Sequence, residues 1–480
     1  MGRRRGEGAV RRMIGLAGAF GCATALALGA AANAGDREPW ESGYARDAAP
    51  PSGMLDRAAL DALVERGGAL FARPFTTSDG AGRPMATQAI VPTKRRRAGN
   101  VAFQRMSGMD ANSCAGCHNQ PVIGGAGDFA TNVFVSEGFR DAEFDTLDPQ
   151  FSNERGTNHL FGAGLIELLA REMTDDLHAI RSGALREARA NGAAVERDLV
   201  TKGVRFGSVT AHADGILDVS GVEGVDPDLV VRPFTQKGVM VGLRQFTVNA
   251  LNHHHGMQAV ERFGTRWTGE GDHDGDGMAD EVSAADISAL VAWQATLPPP
   301  RRTEPDDARW AEYAARGRET FGAIGCGTCH VPALPLESVR FDDPGPRDMA
   351  GTLRRGEAAG ALYDLALTDW LAELPRDAEG RTLVPLFGDL KRHRISGGRN
   401  SHFGNELLSQ RHVERDVFAT TELWGVADTA PYGHRNDLTT LSEAILAHGG
   451  DAEASRDAYE ALDENGRKGV IAFLRTLTVR

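Results

Sequence analysis

Cysteine is scarce in this chain, and every one is accounted for. Of five, Cys22 lies within the first 34 residues, and the other four form two pairs, Cys114 with Cys117 and Cys326 with Cys329. No thiol remains for a structural disulfide, so the fold has to hold without cross-links. Net positive charge is also missing. The formal charge is −13, which argues against nucleic acid as a partner. Beyond residue 34 no apolar run is long enough to span a bilayer.

What the first 34 residues contain reads as an export signal. Arg3, Arg4, Arg5, Arg11 and Arg12 form a basic start, an apolar run follows from Met13 to Ala32, and Ala32-Asn33-Ala34 is a small-residue cleavage pattern. A retained membrane anchor is the alternative. Removal of this segment takes away five arginines and one glutamate, leaving −17. Such a charge suits a periplasmic protein that docks a partner through the partner's basic patch.

Both cysteine pairs have the form CxxCH: Cys114-Ala-Gly-Cys-His118 and Cys326-Gly-Thr-Cys-His330. This is the attachment signal for c-type haem, with two thiols for the vinyl groups and a histidine for the iron. Zinc ribbons and thioredoxin-like sites also use CxxC, but neither accounts for a histidine after both pairs. The expected cofactors are therefore two covalently bound haem groups, held by Cys114, Cys117, Cys326 and Cys329. His118 and His330 are the expected proximal iron ligands.

The surroundings of the two motifs repeat. Leu60, Leu63, Val64, Leu70 and Phe71 recur at helical spacing after a candidate N-cap at Asp56. The end of that helix, Arg66-Gly67-Gly68-Ala69-Leu70-Phe71, parallels Arg316-Gly317-Arg318-Glu319-Thr320-Phe321. Phe321 stands 5 residues before Cys326, whereas Phe71 stands 43 before Cys114, so the first copy carries an insertion that includes the basic run Lys94-Arg95-Arg96-Arg97. Ile287, Leu290, Val291, Ala292 and Leu297 form one closing helix face, and Val470, Phe473, Leu474 and Leu477 another. The pattern predicts a mainly α chain of two c-type cytochrome domains. It divides into a signal peptide at 1–34, a loose arm at 35–54, an N-terminal haem domain at 55–297, a proline-rich linker at 298–304 and a C-terminal haem domain at 305–480. The enlarged first domain holds a few short strands, with Val204-Arg205-Phe206 and Leu229–Arg232 as candidates.

The chain resembles the di-haem cytochrome c peroxidase superfamily, in its di-haem oxidoreductase branch, sometimes labelled thiol oxidoreductase. The residues that carry this are Cys114–Pro121, Phe161-Gly-Ala-Gly-Leu-Ile-Glu167, Asn249–Met257, Leu423-Trp424, Ala430-Pro-Tyr-Gly-His434 and Thr440–His448. The resemblance implies that the C-terminal haem relays electrons and the N-terminal haem meets peroxide. The family's Asp-Gly after the motif histidine is replaced here by Arg435-Asn436. The methionine that ligates the second iron in the peroxidases is replaced by His448, which implies two histidine ligands there. By register, the family's distal acid falls at His254, a residue type whose pKa lies near neutrality. His253 and His255 are alternative iron ligands, and Glu167 is a second catalytic candidate. His159 reads equally as a sixth ligand or as a cap, and Trp293 and Trp424 as core or as electron stepping-stones.

One motif stands apart. Asp272, Asp274, Asp276 and Asp280 occupy positions 1, 3, 5 and 9 of a loop with Gly277 at position 6, which is calcium-loop spacing. Position 12 is Ser283, leaving Glu281 or Asp286 to complete a Ca²⁺ shell. A solvated acidic loop is the plain alternative.

Together these readings predict an exported di-haem oxidoreductase that reduces hydrogen peroxide or a related oxidant. Electrons come from a small periplasmic donor, a cytochrome c or a cupredoxin, and a homodimer is an allowed assembly. A MauG-like oxidase or oxygenase and a plain di-haem electron carrier are the rival functions.

Overall fold

The duplicated sequence pattern becomes a duplicated helix crossing. In the computed structural model, Asp56 accepts from the Ala59 amide and starts a helix at Arg57–Ala72. Its counterpart, Ala308–Ala323, starts at Asp307, which accepts from Trp310. A side-chain oxygen at this point satisfies one of the amides that a first helical turn leaves without a partner. The first helix packs on Ala284–Ala295 and the second on Glu464–Leu474. An aligned glycine lies at each crossing. A Cβ on Gly67 would fall 2.0 Å from the Ala289 carbonyl oxygen, and one on Gly317 would fall 1.8 Å from that of Gly469. Only a residue without a side chain permits that approach.

The structure describes residues 44–47, 49–82, 112–128, 130–135, 152–273, 275–348, 352–357, 360–398, 401–404, 410 and 412–479. The predicted signal peptide, the basic run Lys94–Arg97 and Asp274 lie outside them. Among the described residues no helix is long and apolar enough to cross a membrane.

The expectation of a mainly α chain is corrected: 39% is helical and 16% is strand, spread over several two- and three-stranded sheets. Val195–Thr201, Val204–Ala211 and Leu217–Asp218 form an antiparallel meander, which includes the strand expected at Val204–Phe206. Leu229–Arg232 is not a strand. The Val231 amide donates to Thr174 Oγ1, and Leu229 takes φ 60°. Leu229 and Val231 then bury beside Met173 and Leu177 of the 29-residue helix Ala163–Asn191. A backbone donor already engaged by a buried side chain cannot also serve a ladder.

Residues 44–47 and 49–54, expected within a loose arm, are docked. The Tyr44 hydroxyl donates to Asp286, and Gly53–Met54 pairs in parallel with Ala361–Leu362. The proline-rich segment also carries structure, since Arg301–Arg302 pairs with Leu477–Thr478. Apolar packing runs across that segment: Leu165, Leu169 and Ile287 share a core with Leu334, Phe341, Tyr363 and Leu386. A smaller core gathers Phe321, Phe387, Phe418 and Phe473. Tyr44–Arg480 forms one compact unit.

Candidate functional site

Cys114–Cys117 is a single helical turn that ends at His118, and Cys326–Thr328 is a tighter turn leading to Cys329 and His330. His118 Nδ1 lies 3.3 Å from the Gly125 carbonyl oxygen, and His330 Nδ1 lies 3.3 Å from that of Phe387. A carbonyl can only accept, so each Nδ1 carries the proton and each Nε2 keeps its lone pair. Burial pushes both imidazoles down to about 4, with repulsion from His254 adding at His118 and from His448 at His330. Neutral rings with a lone pair on Nε2 are what iron ligation requires. Phe71 and Phe321 hold equivalent places against these rings, at 5.9 and 6.3 Å between centroids.

A cavity of about 220 Å³ opens at His118. Cys114, Cys117 and His159 form part of its wall, His253, His254 and His255 another, and Thr420, Thr421 and Glu422 a third. The three histidines sit on a π-helical turn, Leu251–His255, that continues the helix Leu243–Ala250. Such widened turns recur at functional sites. The turn ends at Gly256, where φ is 69° and a Cβ would meet the Gly82 carbonyl oxygen at 1.9 Å.

The three histidines are not equivalent. Asn249 uses its Oδ1 to accept from Arg262 and its amide nitrogen to approach His253 Nδ1 at 3.3 Å. That bond makes His253 Nδ1 an acceptor and puts the proton on Nε2, the wrong tautomer for an Nε2 ligand. His255 is buried, with Nε2 3.6 Å from Cys114 Sγ. His254 lines the cavity and interacts electrostatically with His118.

His159 also lines the cavity. Its Nε2 donates to the Trp424 carbonyl at 3.1 Å, leaving a buried Nδ1 with no partner among the described residues. Thr235 Oγ1 and Gln236 Oε1, on two other cavity-lining residues, are likewise buried without partners. Buried polar atoms of this kind normally find a partner, so their clustering fits a bound group. Glu167 is not among the lining residues. Its carboxylate pairs with Arg171 and accepts from the Leu243 amide at 2.7 Å, which makes it a brace for the helix that carries the histidines.

At the second motif, His448 Nδ1 donates to the Ala444 carbonyl at 2.7 Å, leaving its Nε2 lone pair. Burial lowers its pKa, so the ring is neutral. His434 is buried between Phe403 and Phe418, and burial, with Arg155 and Lys237 adding, holds it down to about 2. Arg435 and Asn436, which stand in place of the family's Asp-Gly, reach back to the first site. Arg435 pairs with Glu154, and the Asn436 amide donates to the Gly127 carbonyl at 2.9 Å.

Sequence reading missed Asp389 and His393. His393 Nε2 lies 2.7 Å from the buried Asp389 carboxylate, and its Nδ1 lies 3.9 Å from Cys329 Sγ. Burial is the largest influence and opposes charge on His393, but the hydrogen bonds and charges of Asp389 and Cys329 together outweigh it and raise the imidazole to about 10. Their spacing of four residues carries no signal outside a helix. Nor did the sequence reveal the loop segment that joins the two sites. The Leu423 amide donates to the carbonyls of Leu386 (3.1 Å) and Phe387 (3.3 Å), the latter being the His330 acceptor. The next residue, Trp424, is buried and accepts from His159.

The acidic loop does not assemble a calcium shell among the described residues. Asp272 accepts from the amides of Gly275, Asp276 and Gly277, and Asp276 from that of Met278. The two candidates for completing the shell are spent elsewhere: Glu281 accepts from the Gln258 amide, and Asp286 pairs with Arg66. The one cluster of three ligand-type groups among the described residues is Cys329, Asp389 and His393. Calcium therefore enters no later step.

Residues 386–477 match the family model described as "Di-haem oxidoreductase, putative peroxidase". This segment is similar to that family over about a fifth of the chain. It contains the His330 acceptor, Trp424, the His434 turn and His448, and the family implies haem cofactors. No curated protein matches the chain. Among solved structures, hydrazine synthase of Kuenenia stuttgartiensis is similar at 12% identity and a TM-score of 0.37, over 92% of this chain and 98% of that one. A MauG-like protein associated with microbial copper homeostasis is similar at 17% identity and a TM-score of 0.28, over 56% of this chain and 78% of that one.

Proposed function

We propose that this di-haem oxidoreductase is a periplasmic c-type enzyme that reduces hydrogen peroxide with electrons from a small cytochrome c or cupredoxin. The observation that carries the reading is the difference between the two CxxCH sites. His330 lies within electrostatic reach of one other buried histidine, His448, whereas the cavity at His118 is lined by three consecutive histidines and by His159. A site with two imidazoles suits relay, and a haem site ringed by further proton-carrying side chains suits a reacting molecule.

Cys114 and Cys117 would hold one haem and Cys326 and Cys329 the other, with His118, His330 and His448 as iron ligands. When bound, these groups supply single-electron storage and an iron at which peroxide is reduced. His118, His330 and His448 are held in the ligating tautomer by backbone carbonyls. His254 is the acid/base group, moving a proton between the two peroxide oxygens as their bond breaks. His253 and His255 position the turn that carries it.

The test adds H₂O₂ to the haem-loaded protein with reduced cytochrome c, for wild type and His254→Ala. Wild type should oxidise the cytochrome at the expense of peroxide, and the variant should lose about 100-fold or more of that rate. No response to peroxide in any redox state leaves an electron carrier. Oxidation of an organic or protein substrate without net cytochrome oxidation indicates a MauG-like oxidase.

A further inference from the structure

Peroxide reduction consumes two protons, and the cavity contains a carboxyl group to which the sequence assigned no role. We propose that Glu422 is the cavity's proton store and donates to the molecule reduced there. This inference rests on the peroxidase reading for its substrate.

Three observations converge on Glu422. It lines the same cavity as His118 and the histidine turn. Its chain neighbour Leu423 bonds to the Leu386 and Phe387 carbonyls, so the segment that carries it is pinned against the His330 site. Its side chain also packs beside the second site: a Cβ added to Gly388 would lie 3.6 Å from Glu422 Cγ. Glu422 thus stands in the partition between the two sites, open to one and backed by the other.

Its surroundings favour the neutral acid. Burial raises its pKa to about 7, and repulsion from Asp389 adds to the rise. Asp389 is itself held by His393, so it cannot take up the Glu422 proton without losing that bond. On the cavity side the charged or titratable groups are Arg155, His118, His159 and the three histidines of the turn. No hydrogen bond to another side chain ties the Glu422 carboxyl down in the structure's described contacts, whereas Glu167 is bound to Arg171. A carboxylic acid near neutrality is matched to proton transfer at physiological pH.

The balance is H₂O₂ + 2 H⁺ + 2 e⁻ → 2 H₂O, with both electrons from the small redox donor. The O–O bond breaks as His254 moves a proton from one oxygen to the other, which departs as water; Glu422 gives one proton and solvent a second to the remaining oxygen, which with the two electrons becomes the second water. Solvent then reprotonates the Glu422 carboxylate.

The test compares haem-loaded wild type, Glu422→Gln and Glu422→Asp, each checked for two haems and an unchanged absorption spectrum. Infrared difference spectroscopy across pH should show a protonated-carboxyl component in wild type that titrates near neutrality and is absent in the glutamine variant. Peroxide reduction should fall about tenfold or more in Glu422→Gln, recover in part in Glu422→Asp, and lose in Glu422→Gln the decline that wild type shows as pH rises past 7. A glutamine variant within twofold of wild type with the same pH profile, or one whose carboxyl band has the same intensity and titration as wild type, overturns the proposal; the Asp348 carboxyl contributes equally to both spectra. A wild type that shows the band but consumes no peroxide overturns the peroxidase reading alone, because the proton store stands without naming the oxidant.

Discussion

Gly317→Ala tests whether the duplicated crossing holds the second site together. The new Cβ would lie 1.8 Å from the Gly469 carbonyl oxygen, and real Cβ atoms essentially never come within 3.0 Å. The Ala308–Ala323 and Glu464–Leu474 helices must then part by more than 1 Å, because backbone stands on both sides. Overpacking a core costs about 1–3 kcal/mol, and so large a displacement belongs at the upper end. Alanine returns about 1 kcal/mol of helix propensity, so the net loss is about 2 kcal/mol, or roughly 2 °C in Tm for a unit of this size. Gly322→Ala in the same helix is the control. Nothing lies within 4 Å of its Cβ position, so the propensity gain should appear alone as a small stabilisation. The assay is denaturant unfolding of the haem-loaded protein, followed by far-ultraviolet circular dichroism and Soret absorbance. Phe321 rides on the displaced helix and touches His330, so the Soret signal of the second haem should respond as well. A Gly317→Ala protein as stable as wild type, or more stable than Gly322→Ala, refutes the reasoning.

Three other outcomes follow from the same structure. Replacing His448 by Met should move the midpoint potential of the second haem upward in a potentiometric titration, and no movement would remove His448 from the ligand set. Burial, with repulsion from Glu167 adding, raises the Asp348 carboxyl to about 8. It is protonated in the fold at neutral pH, while in the unfolded chain it ionises near 4. Folding therefore takes up a proton, and the stability involved is lost as pH rises from about 4 through 8. Asp348→Asn should be more stable than wild type at pH 9, with the difference shrinking toward pH 5, as read by thermal unfolding at both. Finally, Gly67→Ala should repeat the Gly317→Ala loss, since its Cβ would meet the Ala289 carbonyl oxygen at 2.0 Å; an unchanged Tm would argue against the equivalence of the two crossings.

Local spacing made the local features legible. The CxxCH turns, the Asp56 cap and the Gly67–Phe71 and Gly317–Phe321 parallel are all contained within a few residues, and the structure gives each copy the same contacts. His448 and His254 were reachable by register against the family, and the structure sets one against His330 and the other in the cavity. The far wall was not legible. Glu422 meets the first motif across an interval that no periodicity spans, and what places it is backbone hydrogen bonding at Leu423; His159 was named as a ligand or a cap, and its bond to the Trp424 carbonyl was not foreseen. Glu167 misled because a glutamate beside a glycine-rich turn looks the same whether it faces a cavity or Arg171. Leu229–Arg232 misled because its alternation was read without Thr174, which takes the amide a ladder would need. The acidic loop had the right intervals, but Glu281 and Asp286 were already engaged by Gln258 and Arg66.

The Phe387 carbonyl has a consequence for how the two ends of the molecule sense one another. An oxygen with two lone pairs is shared between the His330 ring and the Leu423 amide. Residues to either side of Leu423 face the first cavity, Glu422 directly and Trp424 through His159. Whatever reseats that segment when the cavity fills also alters the share of the oxygen left to His330, and with it the electron donation of that ring. Thermodynamic reciprocity makes the effect run both ways: a change of charge at the second iron should alter how tightly the first cavity holds its ligand, and by the same factor.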